Sequence, residues 1–231
     1  MFEKDITVPR PVWKLSGLFR ELQELSGEAA AQWNASGIEL MKLGLMWVVV
    51  RYEVGLARSF VPGEVLHAQT WALPVRHGMS QRNYLLLDGS GSPVLTGAGI
   101  WGIVDRRTRK LTEPEKYGLR FGTEVSEAVI PRPGTPAKLP LQGSCRYTVT
   151  EADLDINGHM NNTRYFDLAE EQIPPEGNRA DLFKIRAVFM NEARLGEEIT
   201  LSWGSDAAAG SRYFCGTKNG ADCFQLGLTN H

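Results

Sequence analysis

Gly63-Glu-Val-Leu-His-Ala-Gln-Thr-Trp71 and Gly196-Glu-Glu-Ile-Thr-Leu-Ser-Trp203 are two versions of one phrase. Pro62 precedes the first and Leu195 the second, and each runs from a Gly-Glu pair to a tryptophan. Further landmarks repeat in step. Arg82 before Tyr84 and Asp88-Gly89 corresponds to Arg212 before Tyr213 and Asn219-Gly220. The separations are 133 for the Gly-Glu pair, 130 for the arginines and 131 for the turn glycines. A near-constant offset over several landmarks marks a tandem duplication.

Each copy reads as strand, helix, then several strands. The first begins with a short extended piece, Asp5–Val8, punctuated by Pro9 and Pro11. A helix is predicted over Val12–Trp33, where Leu15, Leu18, Phe19, Leu22 and Leu25 share one face. Strands are predicted at Leu45–Leu56, Gly63–Val75, Gln81–Leu87 and Val94–Val104. The second copy offers a strand at Arg146–Thr150, a short helix at Thr163–Ile173 stopped by Pro174-Pro175, and four more strands. These are Phe183–Glu192, Glu197–Trp203, Ser211–Gly216 and Asp222–Leu228, with Asn219-Gly220 turning the last hairpin.

The expected organisation is a first unit at 1–125, a linker at 126–142 and a second unit at 143–231. The linker holds Pro131, Pro133, Pro136 and Pro140 and predicts an extended, semi-rigid crossing. The fold class is α+β. A lone helix can bury its apolar stripe only against the sheet, so each mostly antiparallel sheet should curl round its helix. Two such halves joined edge to edge would remove exposed edge strands.

Composition sets the outer limits. Of 231 residues, 42% are hydrophobic and 23% charged, enough for an ordinary core. A net charge of -2 argues against a nucleic-acid binder. The N-terminal stretch has no apolar run long enough for a signal peptide or a membrane span, so a cytoplasmic protein without a membrane partner is expected. Cys145, Cys215 and Cys223 show no metal-ligand spacing; Cys215 and Cys223 flank a hairpin and could approach, but free thiols are expected. Without export, the sequons at Asn34 and Asn161 carry no weight.

The polar run Asp153-Leu-Asp155-Ile-Asn157-Gly158-His159-Met-Asn161-Asn162 invites two readings. It begins like a calcium loop, with Asp153, Asp155, Asn157 and Gly158 at positions 1, 3, 5 and 6. Position 12 must be a bidentate glutamate, and here it is Arg164. No metal is therefore expected. Read as extended chain, Asp155, Asn157 and His159 would line one face. Asn161 and Asn162 suit the N-cap of the next helix. Its free N–H groups would then face the same region and suit an anionic oxygen. The plainer alternative is a polar capping turn with one satisfied histidine.

Asp155-Ile-Asn157-Gly-His159-Met-Asn161-Asn162-Thr-Arg-Tyr165 resembles the Asp-x-Asn-x-His-x-Asn-Asn-x-x-Tyr motif of the acyl-acyl-carrier-protein (acyl-ACP) thioesterases. Trp47-Val48-Val49 through Arg58, Gly63-Glu64, Thr70-Trp71, and Ile100-Trp101 through Leu111 resemble that family's first half. The similarity spans about residues 5–230. It implies a tandem, or double, hotdog fold and hydrolysis of fatty acyl-ACP, with acyl carrier protein and its phosphopantetheine-linked acyl chain as partner. By position, the catalytic residues would be Asp155, Asn157, His159 and Glu192. Where many plant members place cysteine after that glutamate, this chain has Ala193, so a Cys–His nucleophile is not available there. No cofactor is implied, and a homodimer is compatible.

For the remaining parts, an apolar tunnel is expected in the first half, with Leu18, Leu22 and Trp47 as candidate lining residues and core packing as the simpler role for each. The run Arg106-Arg107-Thr108-Arg109-Lys110 is the densest cationic stretch and could recruit the acidic carrier, with an ordinary solvated strand end as the simpler role. Attack by water and a mixed anhydride on Asp155 both remain open. Rival readings are an acyl-CoA thioesterase, a hydratase or dehydratase of the same fold, and a non-catalytic acyl-binding module.

Overall fold

The computed structural model describes residues 1–119, 127–173 and 182–230. The first half contains β1 (Phe2–Thr7), α1 (Leu15–Ala31), α2 (Gly37–Lys42), β2 (Leu45–Leu56), β3 (Val65–Ala72), β4 (Met79–Leu87) and β5 (Pro93–Asp105). The second contains β6 (Gly143–Thr148), α3 (Asn162–Glu170), β7 (Leu182–Phe189), β8 (Glu198–Asp206), β9 (Ser211–Lys218) and β10 (Ala221–Asn230). The expected Pro174-Pro175 helix stop lies outside the described residues.

Among the described residues the strands form one sheet in the order β1-β3-β4-β5-β2-β7-β10-β9-β8-β6. All pairings are antiparallel. Read inward from its two ends, the order matches strand for strand: β1 with β6, β3 with β8, β4 with β9, β5 with β10, β2 with β7. The duplication is thus written into the topology. The halves join edge to edge through β2 and β7, from Arg51↔Val188 to Gly55↔Lys184. What would be an open edge of each half becomes the middle of the sheet.

The apolar stripe of α1 is buried as its spacing predicts, while Arg20, Glu24 and Glu28 stay exposed on the other face. Phe19 stacks on Phe166 of α3, centroids 4.1 Å apart and planes within 5°, and also meets Tyr52 of β2. The two helices therefore share one core rather than each filling a separate one. The short α2 was not expected from the sequence; at six residues it is too short to show a period. It is held by a capping box between Ser36 and Glu39 and by the burial of Leu40 with Leu45, Ile103 and Leu119.

The proline-rich stretch crosses the opposite face of the sheet. Trp71 Nε1 donates to the Glu127 carbonyl, Arg51 to that of Pro133, and the Gly134 N–H to Glu53. The Gln142 N–H reaches the Trp203 carbonyl. At Gly204 a Cβ would collide with the Pro140 carbonyl, so glycine there lets the strap lie flat.

Candidate active site

The polar run is not extended. It folds back on itself between a short 3-10 turn, Glu151–Asp153, and α3. Leu154 bridges Met160, and the Asp155 N–H donates to the His159 carbonyl at 2.7 Å. The Asp155 carboxylate sits inside the turn, accepting from the Asn157 N–H at 2.8 Å, the His159 N–H at 3.1 Å and the Asn157 amide at 3.3 Å. Gly158 closes the turn at φ 75°, a conformation glycine takes without penalty. The expectation of one shared extended face is corrected here. A short carboxylate side chain satisfies local N–H groups better than a strand would. Asn157 and His159 still reach one cavity, but because the turn aims them there.

Asn161 is the N-cap of α3, as expected, accepting from the Thr163 N–H at 2.9 Å. Beneath it Asp153 is buried and accepts from Tyr147 Oη (2.6 Å), the Thr150 N–H (2.7 Å) and hydroxyl (2.8 Å), and Arg164 Nε (2.8 Å). Burial alone would raise its pKa; these donors outweigh it and hold the carboxyl down to about 2. Asp153 and Arg164, two positions of the discarded calcium reading, are thus the clasp that fixes the turn onto α3.

Glu192 lies beyond the end of β7, not within the strand predicted over Phe183–Glu192. The residues alone read Glu192 as a solvated strand-end charge next to Arg194, but its carboxylate turns to His159 and Arg109. Glu192 Oε2 stands 3.0 Å from His159 Nε2, and Oε1 accepts from Arg109 Nη1 at 3.0 Å. Arg109 Nη2 is also 3.1 Å from His159 Nε2. A guanidinium only donates and a carboxylate only accepts. The two contacts at Nε2 therefore alternate: a proton on that nitrogen selects Glu192, and its absence selects Arg109. The imidazole is side-chain buried, whereas Glu192 and Arg109 lie at the mouth. Arg109, a member of the cationic run 106–110, thus sends its side chain to His159 and Glu192 while staying 39% exposed. Its partners lie 50 and 83 residues away, a proximity that no local pattern announces.

These groups open onto a cavity of about 340 Å³ lined by Trp47, Trp101, Asn157, His159, Tyr165 and Glu192 among others, with Asp155, Asn161 and Asn162 on its wall. The start of α3 thus faces it. A second cavity of about 330 Å³ adjoins it, sharing Gln23, Met46, Trp47, Trp101 and Asn157. Its wall is largely the first half's α1 and sheet, including Ala30, Leu45, Ala72 and Ile103. Trp47 lines both cavities, while Leu18 and Leu22 are core residues. Among the described residues no cluster of His, Cys, Asp and Glu could hold a metal ion.

Comparison with known proteins follows the same division. A model described as acyl-ACP thioesterase N-terminal domain matches residues 9–116, and one described as acyl-ACP thioesterase C-terminal domain matches 141–222. This chain belongs to the acyl-ACP thioesterase family. A chloroplastic acyl-[acyl-carrier-protein] hydrolase of Cuphea viscosissima is 28% identical over 147 residues, 60% of this chain and 36% of that protein. The chain thus spans about a third of that relative's length. Among solved structures, a 12:0-ACP thioesterase from Umbellularia californica superposes with a TM-score of 0.82 at 17% identity, covering 100% of this chain and 96% of that one. An acyl-ACP thioesterase from Bacteroides thetaiotaomicron gives 0.78 at 19%, covering 100% and 97%. At such identities the likeness is one of fold: the family's double hotdog, present here as two pseudo-symmetric half-sheets. Among the described residues no helix is long and apolar enough to cross a membrane.

Proposed function

We propose that this chain hydrolyses the thioester between a fatty acyl chain and the phosphopantetheine arm of acyl carrier protein, releasing the fatty acid. One observation carries the reading. The His159–Glu192 pair and Asn157 meet at one cavity, and a second, mostly apolar cavity continues from it. The thioester would lie at the junction, with the acyl chain in the first half and the chemistry supplied by the second. The partition into 1–125, 126–142 and 143–231 belongs to the same reading.

In this mechanism unprotonated His159 Nε2 takes a proton from water as the water oxygen bonds to the thioester carbon, and Glu192, 3.0 Å away, accepts the N–H so formed. Asn157 orients the water or the carbonyl. The positive dipole end of α3, whose Asn161 and Asn162 line the cavity, favours the oxyanion. The C–S bond then breaks, and the proton held by the His–Glu pair passes to the leaving thiolate. Asp155 acts as a positioning residue, since its lone pairs already serve three N–H groups and are poorly placed to attack carbon. This favours water over a mixed anhydride. Arg107 and Lys110 are exposed and remain available to the acidic carrier. A cytoplasmic location belongs to the same reading.

The test is thiol release from matched acyl-ACP and acyl-CoA series. Turnover should favour the carrier-protein series and fall by about 10²-fold or more in His159→Ala and Glu192→Ala. Turnover with CoA alone would reassign the carrier. Acyl binding without any turnover would make the chain a binding module and refute the mechanism.

A further inference from the structure

Arg109 makes a problem for the proposed base. Both Glu192 oxygens are engaged, Oε1 by Arg109 and Oε2 by His159. A guanidinium 3.1 Å from Nε2 competes for the lone pair that must take water's proton. The resting arrangement is therefore restrained.

The backbone around Arg109 is rigid. Asp105 accepts from the Arg107 and Thr108 N–H groups at 3.0 and 2.7 Å, and the Arg109 N–H returns to the Asp105 carbonyl at 2.8 Å. Arg109 itself is held at φ 58°, a left-handed conformation costly to a long side chain such as arginine. Such strain is retained where the surroundings enforce it, and here it aims one long side chain back across the mouth. Release needs only a rotamer change, not a loop movement. The side chain is 39% exposed, so an arriving anion can reach it. The exposed Arg107 and Lys110 flank it on the same turn and would draw that anion in.

We infer that Arg109 is a carrier-sensing latch, resting on the thioesterase reading above. At rest it occupies Glu192 and His159. When substrate docks, the phosphodiester of the pantetheine arm takes the guanidinium, for which it is a bidentate, doubly hydrogen-bonding acceptor. Glu192 and His159 are then released to act on water. Unprimed water and thioesters without a phosphate meet a restrained site.

The experiment compares one acyl group on three carriers: N-acetylcysteamine, phosphopantetheine and acyl carrier protein. The wild type should prefer acyl-phosphopantetheine over acyl-N-acetylcysteamine by about tenfold or more in kcat/KM. In Arg109→Gln the preference should collapse toward unity from both sides. The kcat on the phosphate-free substrate rises, and KM for the phosphate-bearing ones rises too. Arg109→Lys, a point charge without the fork, should fall between. Equal losses on all three substrates would overturn the latch and leave Arg109 a structural brace. Collapse seen only with the whole carrier protein would overturn the phosphodiester assignment in favour of carrier carboxylates. Binding of phosphopantetheine itself, followed by calorimetry, should weaken in Arg109→Gln. That readout needs no turnover, so it separates failure of the latch from failure of the thioesterase reading.

Discussion

Individual residues in this site are held by their neighbours more tightly than their chemistry alone requires. Asp153 is the clearest case. Its carboxyl is held down to about 2, against an ordinary 3.8, by donors that outweigh its burial. A depressed carboxylate contributes stability that is present above its unfolded pKa and lost as pH falls through the folded value. Urea titrations of wild type and Asp153→Asn should therefore converge by about 2 kcal/mol between pH 4 and pH 2, and run parallel above pH 5. Gly158 offers a second test. No atom lies within 4 Å of where a Cβ would sit, so a substitution meets backbone strain and no clash. Gly158→Ala should cost about 1 kcal/mol and reduce turnover by misaiming Asn157 and His159. Gly158→Asn should recover most of both, because asparagine tolerates φ above zero. Thermal melts and kcat measured side by side check this.

At the level of elements, period and punctuation were read well and local reversals were not. Strand β2 has the predicted bounds, and α1 differs only by frayed ends. The polar run before α3 misled because alternation of polar residues is also what a closed turn shows; the side chain of Asp155 decided between them by taking the backbone donors. Likewise α2 carried too few residues for a helical period. The pairing of α1 with α3 could not be read at all, since each stripe alone predicts only burial. Its weight is testable. Phe19 is fully buried and stacked on Phe166, so Phe19→Ala should destabilise by about 3–5 kcal/mol in chemical denaturation, while Arg20→Ala on the exposed face should stay within about 0.5 kcal/mol.

Across the whole molecule, the seam matters more than either half. Glu53 ties three parts together: Oε1 accepts from Arg186 across the β2–β7 junction at 3.0 Å, and Oε2 from the Gly134 N–H of the strap at 2.9 Å. With one sheet and one core shared through Phe19 and Phe166, the halves should unfold together. Calorimetry should show a single transition with matching calorimetric and van't Hoff enthalpies. Glu53→Ala should lower that one Tm without splitting it, since removing one partner strands Arg186 and the strap N–H. Two resolved transitions would contradict the shared core.

The repeat offsets, the helix stripes, the β-turn residues and the motif around His159 were legible from the chain alone, because each is a local or periodic property. They determined the duplicated α+β fold and named Asp155, Asn157 and His159 as candidates, whereas Glu192 was marked by family resemblance alone. Tertiary structure alone decided that Asp155 braces a turn, that Glu192 faces His159 rather than Arg194, and that Arg109 reaches both. Those facts depend on which strand edges meet. A contact between groups 83 residues apart is set by the closure of the sheet at its seam, and no spacing along the chain records it.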